Sequence, residues 1–219
     1  VNLIHVRKYI KLTITKKPHF ANHIKPLFVL FANSVATTVY VYFDSSMLGW
    51  IHGDYYVGLY DVGVRIYTII KRLLAAIYAV SLARLSFYAA NERMDEYKKT
   101  FTAICCALIV IVIPAGFGMI IVADEVIYFF GGLEYVDSTL VLKILSVALI
   151  FSIFVGLVTA CLNITIHREK DNLVGTIISA ITNVMLNLFF IPRWNIYGAA
   201  ITTAISELIV FLFCFLRIP

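Results

Sequence analysis

The chain has 219 residues, of which 61% are hydrophobic and 14% are charged, and its formal net charge is +5. Soluble domains contain roughly 45–50% apolar residues, so the composition excludes an ordinary soluble globular protein. The cations lie beside apolar runs instead of gathering on one face, which argues against a nucleic-acid-binding protein.

Six apolar segments are predicted to cross a membrane. In chain order they are residues 27–51, 57–82, 101–123, 139–164, 173–191 and 197–216. Each has about twenty residues or more, enough for a helix to cross roughly 30 Å of hydrocarbon. The runs are too long for the strands of a barrel and do not alternate. The sequence therefore predicts an all-α integral membrane bundle of about six helices at residues 27–219, preceded by a basic cytosolic lead-in at residues 1–26.

The loop cations predict how the bundle is oriented. Lys and Arg are concentrated in the lead-in, in the loops after the second and fourth spans, and after the sixth span. The other three loops contain only Arg193. Because cationic loops stay on the cytosolic side, both ends of the chain are predicted to be cytosolic. The chain starts at Val1 without a visible signal peptide, so we expect it to be part of a longer protein.

Polar residues inside the spans recur at helical spacing, so each group shares one face of its helix. The groups are Asn33, Thr37, Tyr40 and Asp44 in the first span; Asp61, Arg65, Thr68 and Arg72 in the second; Thr176, Asn183 and Asn187 in the fifth; and Thr203 and Glu207 in the sixth. A charged side chain facing lipid near the bilayer centre costs at least about 2.5–3.5 kcal/mol. We therefore predict that these faces meet around a hydrated interior.

A hydrated interior with arginines suits an anionic substrate, because the guanidinium group matches phosphate oxygens. The candidate substrate-binding residues are Arg65, Arg72, Asn33, Thr37, Asn183 and Asn187. The candidate ion-coupling residues are Asp44, Asp61 and Glu207. Three alternatives stay open. Asp44 lies at the outer headgroup level, or Asp61 and Arg65, four residues apart, only form a local salt bridge. In the third, the cations Lys71, Arg72 and Lys143 only extend their charged ends to the membrane surface.

Nothing in the sequence points to an enzyme. The five histidines lie in loops or tails, and the four cysteines lie inside apolar spans without metal-ligand spacing. No metalloprotease, Walker or nucleophile-elbow motif is present, and Gly131-Gly132 is interpreted as a turn in an outer loop. We therefore expect no catalytic residue, no metal and no cofactor.

Several short motifs, in order, resemble one transporter family. Residues 42–66, YFDSSMLGWIHGDYYVGLYDVGVRI, resemble the start of the second half of Wzx-type polysaccharide flippases, which belong to the multidrug/oligosaccharidyl-lipid/polysaccharide exporter superfamily. Further likenesses are Ala83-Arg84-Leu85-Ser86, Ile191-Pro192, Tyr197-Gly198-Ala199-Ala200 and Ser206-Glu207. The family often has proline where this chain has Ala83, so a sharp helix break is not expected there.

The resemblance implies that the chain is one lobe of a two-lobe transporter whose N-terminal lobe is absent. The implied substrate is an undecaprenyl-diphosphate-linked oligosaccharide, the repeat unit of O-antigen or capsule, moved across the bacterial cytoplasmic membrane. The implied energy source is an H⁺ or Na⁺ gradient, and the other partner is membrane lipid. Alternatives are a drug or metabolite antiporter of the same superfamily and a non-transporting membrane assembly subunit. A glycan polymerase or ligase would usually need a larger outer loop.

Overall fold

The computed structural model describes residues 20–166 and 168–217, and this part of the chain is a bundle of helices without strands. The helices are α1 Phe20–His52, α2 Asp54–Ala90, α3 Met94–Ile121, α4 Ala123–Gly131, α5 Ser138–Leu157 and α6 Glu169–Leu216. A 3₁₀ turn, Leu133–Tyr135, precedes α5, and a π-helical segment, Val158–Asn163, continues it. The predicted all-α fold is confirmed.

Helix α6 is a hairpin of two antiparallel arms. Asn195 interrupts it with φ 55° and ψ −131°, close to the first central residue of a type II′ turn. Arg217 Nη1 donates to Asp171 Oδ1 over 2.8 Å although 46 residues separate them. A straight helix would hold these residues about 69 Å apart. Residues 169–194 are therefore a first arm and residues 196–216 a second arm.

The surface of the bundle is that of a membrane protein. Large apolar side chains such as Trp50, Val80 and Phe129 are exposed by 80% or more. Among the described residues, four helical stretches are long and apolar enough to cross a membrane: Asp54–Ala90, Met94–Ile121, Ser138–Asn163 and Lys170–Leu216. The last stretch contains both arms of α6. The six predicted spans thus fall in α1, α2, α3, α5 and the two arms of α6.

Helix α5 forms the centre of the bundle. Val141, Leu145 and Leu149 on this helix are at most 1% exposed. Lipid is as apolar as leucine, so burial alone does not drive such helices together, and close packing decides their arrangement. Gly63 on α2 provides such a contact, since a Cβ there would lie 2.9 Å from Val141 Cγ1.

The helix boundaries differ from the predicted spans in three places. Helix α1 begins at Phe20, within the predicted lead-in, and α2 continues beyond residue 82 to Ala90. Ala83 allows that continuation, since an alanine keeps the backbone N–H that a proline lacks. The predicted outer loop contains the short helix α4, and Gly132 after it has φ 79°. The predicted Gly-Gly turn is therefore present, but a helix precedes it.

Candidate functional site

A buried carboxylate lies where three helices meet. Asp44 on α1 is 4% exposed. Its Oδ2 accepts hydrogen bonds from Tyr60 on α2 at 2.9 Å and from Thr203 on the second arm of α6 at 2.8 Å. Its Oδ1 accepts one from Asn187 Nδ2 on the first arm at 2.6 Å. Asp44 is thus buried among protein side chains, since its three partners are fully or almost fully buried. Its depth in the membrane, at the headgroup level or nearer the centre, stays a prediction.

An amide pair lies next to this carboxylate. Asn183 and Asn187, one helical turn apart on the first arm, are both 0% exposed. Asn187 Nδ2 also donates to Asn183 Oδ1 at 3.1 Å, and Thr202 Oγ1 donates to Asn187 Oδ1. Within the described residues, Asn183 Nδ2 has no hydrogen-bond partner. Carboxylate, amide and hydroxyl oxygens are therefore concentrated here, and such hard oxygens suit a proton or an alkali cation better than a transition metal.

A second polar layer connects α2, α5 and the second arm of α6. Lys71 Nζ lies 3.2 Å from Glu207 Oε1, and Ser152 Oγ donates to the same oxygen at 2.9 Å. Tyr67 lies one helical turn before Lys71, and Lys71 Nζ is 5.5 Å from the centre of the Tyr67 ring. Because even a partly buried ion pair costs desolvation energy, its place in an apolar helix indicates a functional role more than a stabilising one.

Both layers open onto one cavity of about 330 Å³, within the range of roughly 300–1,000 Å³ of small-ligand sites. Its polar lining consists of Asp44, Tyr60, Tyr67, Thr68, Lys71, Arg72, Tyr78, Thr203 and Glu207. Apolar positions complete the wall, Leu145 of α5 among them. The interior of this bundle thus contains two acids and two bases on a shared surface.

The structure brings together some of the predicted site residues and separates others. Arg72, Asp44 and Glu207 line the cavity, and Asn183 and Asn187 lie against Asp44. The side chains of Asn33 and Thr37 lie outside the described residues.

Asp61 and Arg65 do not line this cavity. Asp61 accepts a hydrogen bond from Ser45 at 2.9 Å, and no ion pair joins it to Arg65 among the described residues. The local salt-bridge alternative is therefore wrong. Arg65 is exposed and lines a separate apolar groove of about 480 Å³ that includes Met119 of α3 and Phe130 of α4.

The cavity-facing side of α2 is turned by about one residue from the predicted polar face. Its centre runs through Tyr60, Val64, Tyr67, Lys71 and Tyr78, and Thr68 and Arg72 of the predicted face lie at its edge. Polar spacing alone does not identify this face, because Tyr60 and Tyr67 carry mostly apolar rings and a lysine such as Lys71 is also able to extend its charged end to the membrane surface. Tyrosine at positions 60 and 67, followed by a lysine four residues on, was the signal available in the sequence.

Comparison with known proteins identifies relatives of this bundle. Residues 57–219 match the family described as “Lipid II flippase MurJ”, and residues 2–86 match “Polysaccharide biosynthesis protein”. Two similar proteins come from Haloferax volcanii, and both are 27% identical. “Probable low-salt glycan biosynthesis flippase Agl15” aligns over 89% of this chain and 42% of its own length, and “Probable flippase AglR” over 76% and 35%.

A solved structure has the same fold. The lipid II flippase MurJ in an inward closed conformation has a TM-score of 0.78 and 18% identity, over 98% of this chain and 47% of that one. The chain thus spans less than half the length of the relatives it matches.

These matches define the class of protein: a multi-pass helical membrane protein of the multidrug/oligosaccharidyl-lipid/polysaccharide exporter superfamily, as the sequence motifs predicted. Within that class, the chain belongs to the lipid II flippase MurJ family.

Proposed function

We propose that the full-length protein flips an undecaprenyl-diphosphate-linked oligosaccharide from the cytosolic to the outer leaflet, for O-antigen or capsule assembly. The observation that carries this proposal is the charged cavity inside an otherwise apolar lobe of a flippase family. Because the chain spans less than half of its relatives, transport requires a second, N-terminal lobe as its partner. The lipid tail stays in the bilayer while the headgroup crosses through the interior.

The anionic headgroup is assigned to arginines. Arg72 lines the cavity, and it has no ion-pair partner among the described residues. Arg65 is likewise exposed and has no ion-pair partner within that part of the chain, but it lines the separate apolar groove and is the second candidate. A guanidinium group without a carboxylate partner is available to donate two parallel hydrogen bonds to diphosphate oxygens. Asn187 donates a hydrogen bond to Asp44 in the cavity wall and another to Asn183, so the two amides hold that carboxylate in position.

An H⁺ or Na⁺ gradient is the proposed energy source, with Asp44 as the principal coupling residue. Its carboxylate lies among amide and hydroxyl oxygens, so it is able to hold either cation without a cofactor. Glu207 is the second candidate, because it lines the same cavity. Asp61 is the third candidate. It does not line the cavity but accepts a hydrogen bond from Ser45, between α1 and α2.

Replacing Arg72 with glutamine tests substrate binding. We expect Arg72→Gln in the full-length protein to slow flipping of a lipid-linked oligosaccharide in proteoliposomes by about tenfold or more, because one charge-assisted contact is lost. Lys99→Gln removes an exposed cation outside the cavity and serves as the control. Equal rates for Arg72→Gln and the wild-type protein, at equal reconstitution, would contradict the proposed headgroup site.

The proposed orientation has both ends of the chain in the cytosol and the turn before α5 outside. We expect a membrane-impermeant maleimide to label Glu134→Cys in intact cells, because this exposed residue lies in that turn. Asp95→Cys, an exposed residue at the start of α3, is expected to react only after the cells are opened. The reverse pattern would invert the topology that the loop cations predict.

The proposed location is the bacterial cytoplasmic membrane. The bacterial setting is implied by the resemblance of the sequence motifs, and the two similar proteins from Haloferax volcanii are named as probable flippases as well.

A further inference from the structure

We propose that Glu207 is a displaceable counter-ion for Lys71, and that a diphosphate group takes its place on a subsite formed by Lys71, Arg72 and Tyr67. This inference rests on the proposed function and adds to it residues that the sequence did not assign and a mechanism for exchanging charge. The subsite occupies the wall of the cavity beside the Asp44 layer.

The two sides of the ion pair differ in how accessible they are. The side chain of Lys71 is 35% exposed, whereas that of Glu207 is 9% exposed. The lysine is therefore the more accessible side chain of the pair, and an anion that enters the cavity meets it first. The pair is joined by a 3.2 Å contact with one oxygen of Glu207, a single-point geometry that a second anion is able to replace without moving a helix.

Tyr67 supplies an independent reason to expect an anion here. The residue is 8% exposed and lines the cavity, and its hydroxyl lies near Lys71 and Ser152 without forming a hydrogen bond of normal geometry to any described residue. A buried hydroxyl without a partner raises the free energy of the folded state. A phosphate oxygen bound to the neighbouring Lys71 would provide the missing acceptor, so the hydroxyl is already placed for a ligand.

The charges in the cavity link anion binding to cation binding. Lys71 and Arg72 balance Asp44 and Glu207 when all four groups are ionised. When a diphosphate occupies Lys71, Glu207 loses this ionic contact in a buried place, and uptake of a proton or Na⁺ by the carboxylate offsets the loss. Each ligand therefore promotes binding of the other, and this reciprocity is what a gradient-driven flippase requires.

Binding measurements on the full-length protein in lipid nanodiscs test the subsite. The probes are inorganic pyrophosphate and a polyprenyl diphosphate, with the phosphate-free polyprenol as control. We expect Lys71→Gln to weaken binding of the diphosphate probes by about tenfold or more, because a charge-assisted contact is lost. Glu207→Gln is expected to tighten binding several-fold, since it removes the competing carboxylate.

Two further variants separate binding from folding. Tyr67→Phe is expected to weaken diphosphate binding while the Tm stays unchanged or rises, because the deleted hydroxyl has no partner. The double variant Lys71→Gln/Glu207→Gln removes both charges together and is expected to fold normally but bind weakly. If Glu207→Gln weakens binding as much as Lys71→Gln does, the pair is structural and the inference is wrong.

The probes and the flipping assay identify which idea fails. Binding of both diphosphates shows that the phosphate chemistry is recognised, and binding of the lipid form alone assigns the subsite to the headgroup of a lipid. Binding of inorganic pyrophosphate alone overturns the lipid assignment. If oligosaccharide flipping is absent but the Lys71 and Glu207 variants behave as expected, the proposed function fails and the anion subsite stands. If flipping occurs but Glu207→Gln does not tighten binding, only the present inference fails.

Discussion

The Asp44→Asn variant of the full-length protein is expected to fold, but its rate of cation-dependent flipping is expected to fall by about tenfold or more. A loss of this size corresponds to a coupling free energy within the usual range of about 1–3 kcal/mol. Asparagine keeps the volume of the side chain and one acceptor oxygen for Tyr60 and Thr203. It removes the charge that would hold H⁺ or Na⁺. The loss of one charged hydrogen bond to Asn187 costs about 1–3 kcal/mol of stability, which a folded protein tolerates.

Thermal unfolding measures the binding step separately from transport. A cation that binds only the folded protein raises the Tm, and the rise grows with the concentration of the cation. We expect Na⁺, compared with choline at equal ionic strength, to raise the Tm of the wild-type protein if Na⁺ is the coupling ion, and not that of Asp44→Asn. Asp54→Asn, an exposed position at the start of α2, is the control. Undiminished gradient-driven flipping by Asp44→Asn would remove Asp44 from the coupling mechanism.

Gly198→Ala is expected to be the most disruptive small substitution in the bundle. A Cβ at Gly198 would lie 2.6 Å from the carbonyl carbon of Phe190 on the first arm of α6 and still closer to its oxygen. Backbone atoms cannot move aside as a flexible side chain does, so the two arms must separate near the turn at Asn195. Overpacking of this kind costs about 1–3 kcal/mol and occasionally more, and we place this variant at the upper end.

Comparison of Tm values in the same detergent tests this expectation. Gly118→Ala on α3 is the matched control, because a Cβ there meets no atom within 4 Å. Alanine also favours helix by up to about 1 kcal/mol over glycine, so the control is expected to be neutral or slightly stabilising. A Tm for Gly198→Ala equal to that of Gly118→Ala would show that the hairpin does not need this close approach. Since Thr202, one turn further on, bonds to Asn187 next to Asp44, the disruption is also expected to lower flipping.

The membrane helices were readable from the sequence for a simple reason. Hydrocarbon requires about twenty apolar residues for each crossing, so length and composition alone mark the spans. The hairpin of α6 was also anticipated, as two spans separated at residues 192–196. The pairing of Asp44 with Asn187 was not, because 143 residues separate them and their contact depends on how three helices pack.

Single polar positions were harder to assign than polar faces. Helical spacing placed Arg65 and Arg72 within one arc, yet only Arg72 lines the cavity. A turn of about one residue in the packing of α2 is enough to move a side chain from one groove to the next, since each residue advances the helix by about 100°. Lys71, which precedes Arg72 and lies on the adjacent face of α2, forms the ion pair with Glu207.

The sequence by itself determined that this chain crosses a membrane in helices, that acids and bases lie inside those helices, and which transporter superfamily its motifs resemble. The first two properties are set by local composition, because lipid excludes unsatisfied backbone and isolated charge at every position of a span. Only the tertiary structure decided that Asp44 is bound by Tyr60, Thr203 and Asn187, and that Lys71 pairs with Glu207. Apolar helices in lipid are arranged by close van der Waals packing between complementary surfaces. This packing brings together residues that are far apart in the sequence, so sequence spacing does not predict the contacts.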